Sequence, residues 1–240
     1  RGKPGELDGI RAVAVRVVGA PGGEGMNLAV VVYTCCDRTL YATRCIESLC
    51  RIEWDYRMHI ANDGASESHM DALLAVCDRE PISTTNTGCR GYGASYNAAT
   101  QALHADYDAF LCVEDDWELT KDLPIGKLLQ DLEYLGDACI RLGYIGFTQA
   151  LIGEFVNVNG RHYLRLDPDS PEPHVFAGHP RLESRGWQRR VGPWPEGLPA
   201  GTTEFDVAHR RKAREDVYWP AWLVLPHGDL FVHIGSESTK

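Results

Sequence analysis

Four short apolar runs, each separated from the next by an amphipathic stretch, restrict the fold of this chain more than anything else in it. "LAVVVYT" (28–34), "YRMHIAND" (56–63), "PIST" (81–84) and "DAFLCVEDD" (108–116) read as strands. Between them, "TLYATRCIESLCRI" (39–52), "ESHMDALLAVCD" (67–78) and "GASYNAATQALHAD" (93–106) read as helices. The first has helical spacing through Leu40, Cys45, Ile46, Leu49 and Cys50. Alternation at roughly 30-residue intervals predicts right-handed βαβ units. The expected class is α/β: a Rossmann-like, mostly parallel central sheet flanked by helices, with its ligand site beyond the carboxyl ends of the strands.

The second half is less regular. A helix is expected over "IGKLLQDLEYLGD" (125–137), entered at Pro124, and a strand over "IRLGYIGFT" (140–148). "FVNVNGRHYLRL" (155–166) reads as a hairpin turned at Asn159-Gly160. "HPRLESRGWQRRVGPWPEG" (179–197) mixes a short helix with a Pro/Gly loop. "TEFDVAHRRKARE" (203–215) reads as a helix, and "AWLVLPHGDLFVHIG" (221–235) holds two strand fragments. With no internal repeat and no flexible linker, one domain over 1–240 is the simplest organisation. Its ligand-binding half would be about 28–118 and its second, site-building half about 119–235.

Composition narrows the partners. The net charge of −10 argues against nucleic acid held through its phosphates, and "HRRKAR" (209–214) reads as a solvated helix face. No apolar run approaches the roughly 18 to 20 residues of a membrane-spanning helix. The start, "RGKPGELDG", shows no apolar stretch of signal-peptide type. The eight cysteines include no C-x-x-C pair, and several lie in apolar segments where a free thiol acts as a small hydrophobe. A reducing, cytoplasmic setting is expected.

Polar clusters close three of the strands: "YTCCDR" (33–38), "NDGAS" (62–66) and "EDDWE" (114–118). In the last, the apolar run Phe110–Val113 leads straight into Glu114, Asp115 and Asp116. Three carboxylates at the end of a buried strand require solvent or positive charge to meet them. The plain account is a solvated acidic end or a helix cap. The functional one is a divalent cation, since Mg²⁺ and Mn²⁺ take oxygen ligands and bridge carboxylates to phosphates.

In this arrangement the sequence resembles the GT-A glycosyltransferases that use nucleotide sugars, and within them the large inverting family two. The resemblance covers roughly residues 28 to 235 and rests on seven motifs in order. "VVVYTCCDR" looks like the opening strand with its Arg-ended turn, and "IANDGAS" like the Asp-Asp-Gly-Ser turn. "NTGCRGYGASYNAAT" resembles the Asn-x-Gly loop and the helix that follows it, and "VEDDWE" the metal-binding Asp-x-Asp region. "FAGHPRLESRGWQRRVGPWPEG" is similar to the acceptor-side segment, "TEFDVAHR" to the segment carrying the catalytic base, and "FVHIG" to the late His-x-Gly element.

The resemblance implies a donor site for a nucleoside-diphosphate sugar with Mn²⁺ or Mg²⁺. Asp116 would hold the metal, with His233 as second ligand and His227 as its rival. Asp115 would face the donor's ribose or sugar, with Glu114 behind it, and Asp63 and Thr34 would contact the nucleoside. Plainer roles exist: Asp63 as an Asx-turn residue before Gly64, Thr34 as the close of a strand, His233 as a satisfied core histidine. In an inverting transfer a carboxylate must take the acceptor hydroxyl's proton. Glu204 stands where the family's catalytic Asp does, with Asp206 and Glu196 as alternates, although a helix N-terminus also favours an acidic residue for its dipole. Ser95-Tyr96-Asn97 departs from Ala-Arg-Asn and removes an arginine that Arg90 could replace, and Asn62 replaces the first Asp of its turn. Trp187, Trp194, Trp219 and Trp222 lie where an acceptor would dock, and equally suit a core.

The expected activity is therefore metal-dependent inverting sugar transfer to a carbohydrate, lipid-linked or protein hydroxyl. A sugar-1-phosphate nucleotidyltransferase would need a glycine-rich loop after the first strand, where "TCCDRT" has no glycine. A degenerate module that binds nucleotide sugar without catalysis is the remaining alternative.

Overall fold

The computed structural model describes residues 25–79, 81–143, 153–167, 178–212, 221–223 and 230–235. Its first half follows the alternation in the sequence: β1 (Leu28–Thr34), α1 (Thr39–Cys50), β2 (Tyr56–Asn62), α2 (Glu67–Val76), β3 (Ile82–Asn86), α3 (Tyr92–Leu103) and β4 (Ala109–Glu114). β2 and β4 both pair parallel to β1, and β3 extends the block beyond β2. The apolar runs are continuous because the sheet is covered on both faces. Leu28, Val30 and Val32 face a core with α1 and α2, while Ala29, Val31 and Tyr33 face one with α3. Leu40 breaks the helical pattern in α1, being 69% exposed.

Beyond β4 the sheet changes character. The remaining elements are β5 (Trp117–Leu119), α4 (Ile125–Leu135), β6 (Cys139–Arg141), β7 (Gly153–Val158), β8 (Arg161–Leu166), β9 (Arg181–Ser184), α5 (Arg185–Val191), α6 (Ala200–Lys212), β10 (Ala221–Leu223) and β11 (Phe231–His233). Nine strands run in the order β3-β2-β1-β4-β9-β6-β10-β8-β7. β9 lies antiparallel between β4 and β6, and β10 is parallel to β6 but antiparallel to β8. The β7–β8 hairpin turns at Asn159-Gly160, whose φ values of 50° and 81° are those that a two-residue primed turn requires.

Two strands were missed from sequence. β9 reads "RLES", yet Arg181 and Glu183 are both fully buried because they neutralise one another at 2.5 Å. β5 is three residues long and exists to pair with β11, Trp117 opposite His233. Of the strand expected over 140–148, β6 covers the start, and residues 144–148 lie outside the described residues, as do Trp219 and His227.

Candidate active site

The three polar clusters meet. Thr34 ends β1, Asp63 follows β2, and Glu114 and Asp116 lie at and just beyond the end of β4; all four line one cavity of about 410 Å³ at the carboxyl edge of the parallel block. That volume suits a small organic ligand, and this edge is where open α/β sheets bind one. Tyr92 of α3 and Pro199, just before α6, close the far side.

A positive group does meet the carboxylates. Arg38, at the end of the turn after β1, donates from one guanidinium nitrogen to Asp115 Oδ1 and from the other to Asp116 Oδ2 at 2.9 Å. Asp115 is fully buried, one layer behind the cavity wall, and its second oxygen accepts from Thr34 Oγ1 at 2.7 Å. Burial pushes its carboxyl up to about 6, against the opposing pull of Arg38 and of the Thr34 hydroxyl. Thr34 is held in turn by His69 of α2, whose Nε2 lies 2.9 Å from its Oγ1. Neither Arg38 nor His69 was singled out as a site residue from sequence. Arg38 ends a polar strand-end turn, which is a usable signal, whereas His69 looks like any polar residue on a helix.

Asp116 keeps one oxygen for something else. Its Oδ1 is buried and has no hydrogen-bond partner among the described residues. On its other side, β11 delivers His233, with Nε2 3.3 Å from Asp116 Oδ2 and the ring 5.1 Å from that of Trp117. The pairing of β5 with β11 and a bond from the Ile234 amide to the Asp116 carbonyl, 2.8 Å, fix this approach. Among the described residues no three His, Cys, Asp or Glu side chains form a metal-ligating group. A carboxylate and an imidazole nonetheless fit a cation that completes its shell with water and phosphate oxygens.

Glu204 of α6 reaches the same place from the second half. The Gly178 amide donates to its Oε1, and a Cβ on Gly178 would meet Oε1 of both Glu114 and Glu204, so the two acids close on this glycine from either side. Burial first, then the charges of Glu204 and Asp116, push the Glu114 carboxyl far above its ordinary range. Arg181 lies behind them, donating to the Gly178 carbonyl at 3.1 Å and opposing that rise.

The alternates sit elsewhere. Glu196 is paired with Arg90 and accepts from Asn97 Nδ2 at 3.1 Å; neither it, Asp206, Glu204 nor Arg90 lines the cavity, and Glu204 differs from the alternates in standing beside Glu114 across Gly178. The Arg90 main chain does serve the site: its amide and that of Gly91 donate to the two oxygens of Asp63, each at 2.8 Å, and Thr87 Oγ1 adds a third bond at 2.7 Å. Asp63 therefore organises the loop at 87–91 as well as lining the cavity. Asn62 explains its own departure from Asp, accepting from the Ala65 amide at 2.7 Å and donating to the Ala65 carbonyl at 3.2 Å, which a carboxylate cannot do. Tyr96 is core, its hydroxyl donating to Glu183 at 2.8 Å. Trp187 and Trp194 are buried too.

No family model and no curated protein matches the chain. Solved structures do. It is similar to S. aureus TarS 1–349 in complex with UDP-GlcNAc, with a TM-score of 0.60 at 13% identity over 88% of this chain. It is similar also to GalNAc-T7 with UDP, GalNAc and Mn²⁺ (TM-score 0.60, 12% identity, 83% of this chain and 42% of the other). A third is the mannosyltransferase PcManGT from Pyrobaculum calidifontis with GDP-Man and Mn²⁺ (0.54, 12%, 85% and 56%). The chain spans 61% of the TarS 1–349 chain. Its fold is the GT-A fold of nucleotide-sugar glycosyltransferases.

Proposed function

We propose that the chain transfers a sugar from a nucleoside-diphosphate donor to an acceptor hydroxyl with inversion, in a metal-dependent reaction. The observation that carries this is the cluster behind one cavity on the carboxyl edge of a GT-A sheet: Glu114 and Asp116 line the cavity, His233 stands against Asp116, and Glu204 stands beside Glu114 across Gly178. The neighbours in complex with UDP-GlcNAc and with GDP-Man and Mn²⁺ support the donor class.

In this reading Asp116 and His233 hold Mn²⁺ or Mg²⁺, which when bound supplies Lewis-acid stabilisation of the departing diphosphate. Arg38, half-exposed on the cavity wall, is the protein cation assigned to that diphosphate. Asp63 and Thr34 border the nucleoside, and Asp115 keeps Arg38 and Thr34 in place. Glu204 accepts the acceptor's proton as its oxygen attacks the anomeric carbon and the bond to diphosphate breaks on the opposite face. The acceptor is a carbohydrate, lipid-linked or protein hydroxyl, met by residues of the second half. The chain acts as one GT-A domain in a reducing, cytoplasmic setting. No helix among its described residues is long and apolar enough to cross a membrane.

One observation favours the non-catalytic alternative: Arg38 already neutralises both aspartates. A thermal-shift panel of nucleoside diphosphates, with and without Mn²⁺, separates the readings when combined with hydrolysis of the corresponding nucleotide sugar. Metal-dependent stabilisation and turnover, both lost in Asp116→Ala, are the expected result. Binding without turnover selects the non-catalytic module, and the absence of both overturns the site.

A further inference from the structure

His69 lies at the hub of a hydrogen-bond chain that the mechanism above does not use. It is the one polar residue that α2 buries, 1% exposed, and both of its ring nitrogens have hydroxyl partners at 2.9 Å: Nε2 with Thr34 Oγ1, Nδ1 with Thr39 Oγ1. The direction of each bond follows from counting protons. Thr34 has a single hydroxyl proton, and Asp115 Oδ2, 2.7 Å away, is an acceptor that takes it. Thr34 Oγ1 can then only accept from His69, which places the imidazole proton on Nε2. Nδ1 is left as an acceptor for the Thr39 hydroxyl. Burial lowers the proton affinity of His69, which keeps the ring in this neutral, single-donor form.

The chain therefore runs one way, from Thr39 through His69 and Thr34 to Asp115, whose other oxygen holds Arg38. Three separate elements are tied by it: the start of α1, α2 and the end of β1. We infer that His69 is a positioning residue which, through its Nε2–H, aims the Thr34 hydroxyl at Asp115 and so fixes the Asp115–Arg38 pair at the donor cavity. Without that donor the Thr34 hydroxyl is free to turn toward the vacated nitrogen, and Asp115 loses one of the bonds that hold it ionised. The inference rests on the nucleotide-sugar reading, since it supposes that this wall receives a nucleoside diphosphate.

Two substitutions separate positioning from mere packing. A Gln amide nitrogen reaches the place of a histidine Nε2, whereas an Asn amide reaches only the place of Nδ1. UDP and GDP, each with Mn²⁺, serve as probes in calorimetric titration of the intact chain, with thermal melts of every variant alongside. His69→Asn is expected to weaken the bound nucleotide about tenfold, as loss of a buried bond in a charged network does. His69→Gln is expected to stay within about threefold of the parent even where the two variants melt alike. Thr34→Val is expected to weaken binding as His69→Asn does, and His69→Asn/Thr34→Val no more than Thr34→Val alone.

Equal losses in the Asn and Gln variants, full additivity in the double variant, or unchanged affinity in Thr34→Val would each overturn the role of His69. If the His69 variants fail to fold, unchanged affinity in Thr34→Val still overturns the role, since Thr34 both lines the cavity and carries the bond to Asp115. A parent chain that binds neither nucleotide with Mn²⁺ overturns the donor reading itself, a distinct outcome.

Discussion

β1 and β9 flank the same strand, β4, and both are buried along their whole length, yet they are buried by opposite means. β1 hides seven residues of which only Thr34 is polar. β9 hides four, and Arg181, Glu183 and Ser184 are three of them. In β1 burial follows from transfer of apolar surface out of water. In β9 it follows from mutual neutralisation: Glu183 accepts from Arg181, from Tyr96 and from Gln188. The parallel block supplies a rigid edge with carboxylates on it. The antiparallel block brings in buried charge to work against them.

The largest effect expected from that division lies at Glu204, which the second half brings beside Glu114 of the cavity wall. Glu204→Gln keeps the hydrogen-bonding size of the side chain but takes away the base. Transfer should fall by about 10²- to 10⁴-fold while nucleotide affinity is kept. Single-turnover transfer and nucleotide titration on the same sample test this together. Retained transfer would move the base to Asp206 or Glu196 and would leave the second half with only an acceptor-binding role.

Next comes the buried pair. Arg181→Met leaves Glu183 charged and buried, and should cost about 3–5 kcal/mol in denaturant unfolding. Adding Glu183→Gln should recover much of that loss, because the cost is the unpaired charge and not the lost contact. No second substitution has such a rescue to offer in β1, where burial is spread over many contacts. An additive double variant would mean that β9 is held by packing, as β1 is.

The same contrast decides what could be read in advance. The elements of the parallel block agree with the strand and helix runs of the sequence to within a few residues, since two-sided burial leaves long apolar runs with helical patterns between them. The hairpin at Asn159-Gly160 was legible for a local reason, its turn chemistry. β9 and β5 were not, since "RLES" and "WEL" gain their burial from partners far away in the chain. The carboxylate cluster was legible as a local excess of charge, and its convergence with Glu204 and His233 only through resemblance. Arg38 and His69 depend on hydrogen bonds across 30 to 80 positions, which no spacing rule exposes.

The parallel block has titrating weaknesses of its own, of which His59 is one. His59, buried in β2, bonds Ser83 and Thr85 of β3 at 2.9 and 3.1 Å, and burial, then Arg57, lowers its pKa from an ordinary 6.5 to about 4. The folded chain binds this proton less readily than the unfolded one, so the stabilisation is complete above pH 6.5 and lost as pH falls toward 4. The full span corresponds to about 3 kcal/mol. Melting temperature should drop across that window more steeply in the parent than in His59→Gln. Identical slopes would move the acid sensitivity off His59, to His69 or to the charged second half.

The smallest effect is expected where the halves touch at the surface, between Arg90 of the 87–91 loop and Glu196 of the segment before α6. The motif resemblance places Arg90 against the nucleotide, but in the structure its guanidinium turns to Glu196, and only its main-chain amide serves Asp63. An exposed pair of this kind contributes about 0.2–1 kcal/mol, and replacing the side chain leaves the amide bond intact. Arg90→Ala should therefore shift unfolding slightly and leave nucleotide affinity unchanged, whereas Arg38→Ala should weaken nucleotide binding. Reversed results would mean that Arg90 leaves Glu196 when the donor arrives, making the second half a partner in donor binding as well as the source of the base.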